Sequence, residues 1–343
     1  MILHFMVVGV EAGSYTFSLL NLLLVYISGQ AIYTFFKVCN DPEAIFRKIL
    51  VLNFIGCLIA IPFYFTSNWG IVWDEQVLAG GVNDLRRLKL FVYEPSYYAL
   101  LFVPVFCFFL LQYVFRQNRI PGPLLLGMLF LPFILSFSMG VIASLLLAGI
   151  LTWIFHFRSL TRKPRILNGL VYSGATLGSI LVFLILFFRH NPIFLRIGSV
   201  LRGEDTSGKG RTVDAFVLAR KLLEEKNEIW GIGLGQIRML GENIIRSYYL
   251  YNKEFTVAIP NAAAETLAIF GWAGLSLRLF IEIFLFFYTR VWNNYYRLLL
   301  FFFVFIYQFT GSFITNIAEY VIWILAFTNV FGQFNVKRKV SGH

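Results

Sequence analysis

Several runs of about 18 or more residues pass with almost no charge, and each is long enough to cross the roughly 30 Å hydrocarbon core of a bilayer as a helix. That feature restricts the chain more than any other. Only 14% of residues are charged and mean hydropathy is +0.73, against about 25% charged residues in an ordinary soluble domain. The expected fold class is an all-α polytopic membrane protein with about nine to ten transmembrane helices. A barrel would instead alternate apolar and polar residues over about ten positions.

The spans fall at roughly 15–36, 49–65, 98–115, 166–188, 263–288, 298–313 and 318–334, and the run 124–157 is too long for one helix. Ser136-Phe137-Ser138-Met139-Gly140 interrupts that run, which predicts two short spans and a tight turn. Two polar segments stand out, a loop over 67–97 and a larger one over 189–261. The chain thus divides into N-terminal helices (1–188, with the loop 67–97), a large hydrophilic loop domain (189–261) and C-terminal helices with a basic tail (262–343).

A net charge of +11 would suggest nucleic acid in a soluble protein. In a membrane protein, basic residues gather in cytoplasmic connectors, so no nucleic-acid partner is expected. Placing the connectors 37–48, 116–123, 158–165 and 289–297 and the Lys337-Arg338-Lys339 tail inside sends both large loops outward. No basic region precedes the first apolar run, so no cleavable signal peptide is expected. Cys39, Cys57 and Cys107 form no framework, and His4, His156, His190 and His343 are too scattered for a metal site.

Arg211 precedes a helical stretch in which Val213, Phe216, Val217, Leu222 and Leu223 supply an apolar face. At a helix start, free N–H groups and the dipole favour an anion, and arginine adds a fork matched to phosphate oxygens. Gly231-Ile232-Gly233-Leu234-Gly235 lacks the strand and helix of a nucleotide motif and reads as a tight turn. Glu94-Pro95-Ser96 places a carboxylate where the outer loop re-enters the membrane, with Arg86 and Arg87 upstream. Glu265 enters an apolar helix after Asn261, and Gly271 and Gly274 allow close helix contact. No internal repeat and no clear ionisable group deep in the spans is found, which speaks against a transporter.

In order and spacing these stretches resemble the O-antigen polymerase and O-antigen ligase family, bacterial inner-membrane glycosyltransferases with a C-type fold. The resemblance rests on Arg87 and Glu94-Pro95-Ser96, the paired short helices, Arg211, Gly231–Gly235, and Asn261, Glu265, Gly271 and Gly274. It covers roughly residues 86–275. Two positions depart from it. Met139 stands in the joining turn where many members have arginine, and Pro260 precedes Asn261 where ligases and many polymerases have histidine.

The resemblance implies an O-antigen or exopolysaccharide repeat-unit polymerase in the inner membrane, working on the periplasmic face without metal or cofactor. Its donor and acceptor would be undecaprenyl-diphosphate-linked oligosaccharides, and a chain-length regulator protein would be a partner. Arg86, Arg87 and Arg211 would hold the diphosphate, and Glu94 or Glu265 would accept the proton of the attacking hydroxyl. The alternatives are a ligase that passes the glycan to a lipid core, and a non-enzymatic flippase or transporter of the same lipid.

Overall fold

A computed structural model describes residue 4 and residues 8–76, 85–117, 120–157, 206–249 and 257–336. The expected span at 166–188, the connector 158–165, the opening of the large loop at 189–205 and the basic tail lie outside the described residues. The described residues are mostly helical, with several long apolar helices compatible with a polytopic membrane protein. Among the described residues four helices are long and apolar enough to cross a membrane: α1 (Ala12–Val38), α2 (Pro42–Phe63), α3 (Pro95–Val114) and α9 (Ala262–Tyr288). Shorter apolar helices are α4 (Gly122–Ser136), α5 (Met139–Phe155), α10 (Tyr295–Tyr307) and α11 (Ile317–Phe327). The loop region contributes α6 (Thr206–Arg211), α7 (Val213–Glu224) and α8 (Ile237–Tyr248).

The chain folds as two compact units. The first comprises Met1–Lys37, Ser207–Val291 and Val304–Thr328, and the second Val38–Thr206, Trp292–Phe303 and Asn329–His343.

In the second unit, α3 is the interior helix. Its Phe108 packs against Phe46, Tyr296, Phe331 and Phe334. Most of α2 instead presents leucine and isoleucine outward, as a lipid-facing helix would. The turn between α4 and α5 forms where expected. Phe137 takes the left-handed conformation after α4 (φ 44°), and Ser138 precedes the first turn of α5. The loop 67–97 is not all irregular: β1 (Trp73–Gln76) pairs antiparallel with β2 (Leu85–Leu88), with Asp74 opposite Arg87 and Glu75 opposite Arg86. The hairpin adds two four-residue strands to described residues that are otherwise mostly helical. Its core is Trp73, Val72 and Leu88 against Cys57, Ala60 and Tyr98. The Trp73 indole N–H donates to the Ala60 carbonyl near the end of α2 (2.9 Å).

In the first unit, α7 and α8 pack with Tyr15, Ile232, Leu234, Ala264, Leu267 and Ile314 around one apolar core. The buried face of α7 is Ala215, Leu218, Ala219, Leu222 and Leu223, whereas Val213 is 59% exposed and Asp214 is buried. The face drawn from the sequence was therefore rotated by about one position at its start. The expected span at 263–288 is a helix broken at Gly271 (φ 67°, ψ −167°). The expected spans at 298–313 and 318–334 shorten to helices of 13 and 11 residues, about 20 Å and 17 Å long at 1.5 Å per residue. Between α10 and α11 the chain leaves the helix at Thr310-Gly311-Ser312, and Ser312 has φ 71°.

Candidate functional site

The first unit builds its polar centre around the start of α9. Three N–H groups of the first turn need acceptors from outside the helix, and each finds one. Ala262 N–H donates to the Gly311 carbonyl (3.1 Å), Ala263 N–H to the Gln308 carbonyl (3.0 Å) and Ala264 N–H to Oδ1 of Asn261 (2.9 Å). The irregular stretch between α10 and α11 thus spends its carbonyls on α9, which makes non-helical backbone tolerable in an apolar setting. Asn261 also donates through Nδ2 to the carbonyls of Arg211 and Phe309, both at 2.7 Å.

Arg211 therefore meets α9 through its backbone. It is the last residue of α6, with Thr212 between it and α7, rather than the first residue of a long helix. The first turn of α7 already carries its own carboxylate, Asp214, which accepts the Tyr248 hydroxyl (2.9 Å). Burial is the main cause that raises the Tyr248 phenol's pKa, followed by this hydrogen bond to Asp214. Glu265 sits one turn into α9, where its Oε2 accepts the Ile314 N–H (2.7 Å). Its Oε1 accepts no hydrogen bond among the described residues.

The glycine-rich stretch serves α9 as well. The Ile232 and Gly233 N–H groups donate to the carbonyls of Ala268 (2.9 Å) and Ile269 (3.0 Å), while Trp272 and Ala273 N–H donate to Glu228 (3.0 Å) and Ile229 (3.1 Å). The helix break is thereby closed by a neighbouring backbone. A Cβ on Gly231 would lie 2.4 Å from the Ile269 oxygen, and one on Gly271 would lie 2.2 Å from the Ile229 oxygen. These glycines form a backbone joint, in line with the tight-turn reading of 231–235.

The second part of α9 carries charge that the sequence reading missed. Arg278 donates Nε to Glu282 Oε1 (3.1 Å) and Gln308 Oε1 (2.8 Å), and Nη1 to Thr266 Oγ1 (3.1 Å). Its Nη2 pairs with Glu319 of α11. Gln308 Nε2 closes the ring by donating to Glu282 Oε2 (2.7 Å). Ionisable groups do lie deep among the apolar helices, contrary to the expectation from sequence. The i,i+4 spacing of Arg278 and Glu282 was the available signal; their partner Glu319 gave none.

The other predicted residues belong to the second unit. Successive residues of a strand face opposite ways, so Arg86 and Arg87 have separate surroundings. Arg86 lies over the rings of Trp69 (4.5 Å) and Tyr64 (5.3 Å), pairs with Glu75 (3.5 Å) and donates to the Tyr64 carbonyl (2.8 Å). Arg87 is 5% exposed and donates to the Ser136 carbonyl (2.9 Å) and Ser138 Oγ (3.2 Å). It is thus fastened to the turn that joins α4 and α5. Glu94 precedes α3 in extended conformation and accepts the Ser96 hydroxyl.

No protein-family model matches this chain, and neither does any curated protein. Its functional reading rests on the residues themselves. Among the described residues no group of three or more histidine, cysteine or carboxylate side chains is arranged to hold a metal ion.

Proposed function

We propose that this chain is an O-antigen or exopolysaccharide repeat-unit polymerase of the bacterial inner membrane, with a C-type glycosyltransferase fold and its large loop in the periplasm. One observation carries the reading. Residues that support the resemblance are far apart in sequence yet fold against one another: Asn261 holds the Arg211 carbonyl, and Gly231 seats in the break at Gly271. A merely compositional likeness gives no reason for those pairings.

In this reading the acceptor hydroxyl oxygen attacks the anomeric carbon of the donor glycan. The bond from that carbon to the diphosphate oxygen breaks, and undecaprenyl diphosphate leaves with the electron pair. Arginine stabilises the charge that develops on the leaving group. Arg211 serves this role, with Arg86 and Arg87 as the further candidates. A carboxylate takes the hydroxyl proton. Glu265 suits that task, because the Ile314 N–H orients one oxygen and leaves the other to receive the proton; Glu94 is the alternative. Attack opposite the leaving group inverts the anomeric centre.

The test is to incubate purified protein with labelled lipid-linked repeat units. Polymer should form with the wild type and fail with Arg211→Ala, leaving single repeats on the lipid. Long polymer from that variant overturns the role of Arg211. Glu265→Gln should cost more rate than Glu94→Gln, and equal activity of both with wild type removes carboxylate base catalysis from the proposal.

A second reading, a carrier that moves the same lipid without chemistry, gains support from the Arg278, Glu282 and Glu319 network, since such groups in apolar helices commonly mark transport pathways. Only an enzyme forms a glycosidic bond in the same assay. Transfer to a lipid core in place of chain growth identifies a ligase.

A further inference from the structure

We infer that Tyr320 is a positioning residue that sets the orientation of the Glu265 carboxylate, acting through the backbone of Ile314. The Tyr320 hydroxyl donates to the Ile314 carbonyl (2.9 Å), and the Ile314 N–H donates to Glu265 Oε2 (2.7 Å). Ile314 is therefore gripped from both sides, by α11 through its oxygen and by α9 through its nitrogen. Its side chain is 5% exposed and belongs to the same core as Ala263, Ala264 and Leu267. The carbonyl and the N–H flank one Cα, so a change at the first is felt at the second.

Tyr320 matters because the backbone around Ile314 has no helix to hold it. Ser312 takes the left-handed conformation (φ 71°), which a serine keeps only where its surroundings hold it there. The start of α11 supplies those holds. Asn316 donates Nδ2 to Ser312 Oγ (3.0 Å) and its N–H to the Phe313 carbonyl (3.0 Å), while its Oδ1 caps α11 through the Ala318 N–H (3.0 Å). These bonds stop one residue short of Ile314. A buried carbonyl without a donor is costly in an apolar setting, and Tyr320 is the donor that this one meets. Without the hydroxyl, the Ile314 backbone turns to find another donor and carries its N–H away from Oε2. Glu265 then loses the bond that fixes which oxygen is held and which is left to react. The effect on catalysis rests on the polymerase reading with Glu265 as the base, whereas the positioning itself does not.

The test uses the full chain in lipid vesicles and has two readouts. Hydrogen exchange resolved to single amides needs no substrate. The Ile314 amide should be protected in wild type and exchange at least about tenfold faster in Tyr320→Phe and in Glu265→Ala, while Ala264 keeps its rate. Glu265→Gln retains an acceptor oxygen and should keep the protection. An unprotected Ile314 amide in wild type, or unchanged exchange in Tyr320→Phe, overturns the inference. So does equal acceleration of Ala264 and Ile314, which assigns Tyr320 to overall stability. The second readout is polymer formation from labelled lipid-linked repeat units. Tyr320→Phe should lower kcat by about 10- to 100-fold with little change in KM, the scale of a misplaced reacting group. In a Glu265→Gln background the same substitution should cost nothing further. A full additional loss in that background shows that Tyr320 acts apart from Glu265 and overturns the positioning role. Absence of polymer from wild type, or full activity of Glu265→Gln, removes the polymerase reading or its base instead, and the exchange rates then decide the positioning alone.

Discussion

Nδ2 of Asn261 lies 2.7 Å from the carbonyl oxygen of Arg211, and the same amide nitrogen lies 2.7 Å from the carbonyl of Phe309. Oδ1 of that side chain caps α9 through the Ala264 N–H. One fully buried amide thus ties the end of α6, the stretch after α10 and the start of α9 together, and both of its polar atoms are needed.

This arrangement separates two substitutions that are equivalent at an ordinary helix start. Aspartate and asparagine cap helices about equally well. At residue 261, Asn261→Asp keeps the acceptor but turns a carboxylate oxygen towards two carbonyls. Asn261→Ala loses the cap and both donated bonds. Asn261→Ala should destabilise the protein by on the order of 3 kcal/mol, and Asn261→Asp by at least as much. Denaturation midpoints of the purified variants check this, and a wild-type midpoint for Asn261→Asp would mean that Nδ2 makes neither bond.

Gly231 and Gly271 act as one joint, so their substitutions should not add. Each has positive φ and each faces the other's backbone. Either alanine variant should cost on the order of 3 kcal/mol through a left-handed backbone and overlap with a carbonyl. Once the joint is open, the second substitution has less to disrupt. The double variant should fall short of the sum by more than about 0.5 kcal/mol. Simple additivity in a thermal double-mutant cycle would show the two sites to be independent.

Arg87 should tolerate neither lysine nor alanine. Its guanidinium bonds a carbonyl through Nε and a hydroxyl through Nη2, and a single ammonium cannot span both in that geometry. Ser138→Ala removes one acceptor and should cost about 1 kcal/mol. Arg87→Lys should cost more. Equal midpoints for the two variants would locate the role of Arg87 outside the α4–α5 turn.

How far the sequence could be read follows from the range of each interaction. The break between α4 and α5 was legible, because Ser136, Ser138 and Gly140 interrupt an apolar run locally. The shortened α10 and α11 were not. The end of α10 depends on Asn261, Ala262 and Ala263 drawing the carbonyls of Phe309, Gly311 and Gln308 out of helical register, whereas α11 stops at Phe327 because Thr328 turns extended. The hairpin escaped notice because its strands are only four residues each, too short for alternation to register. Arg278 and Glu282 show only an i,i+4 spacing inside one apolar run, and Glu319 is a single charge at the start of another. Pattern reading does not place charges from two helices on facing sides, and only tertiary packing made them a network. Arg211 was legible as a candidate, but the bond through its carbonyl, which any residue type could make, was invisible in the sequence.

His4 provides a pH dependence with a definite sign. Its ring stacks on Phe270 (5.6 Å), meets Tyr15 edge-on (6.0 Å), and has Nε2 3.0 Å from the Trp230 carbonyl. Nδ1 is buried without a partner among the described residues. Burial disfavours the imidazolium and outweighs the Trp230 carbonyl, so the folded-state pKa lies below the ordinary 6.5. The unfolded chain therefore binds more protons in the interval between the two values, and stability there rises with pH. The contribution is complete above pH 6.5 and is lost as pH falls through the folded-state value. Other groups titrate in acid too, so the informative quantity is the difference between wild type and His4→Phe. The aromatic stack survives in that variant and the titration does not. Melting temperatures measured from about pH 5 to 7.5 should converge at the acid end as the wild type loses its advantage. A constant gap across that interval would show that His4 is not held neutral by the contacts around Phe270.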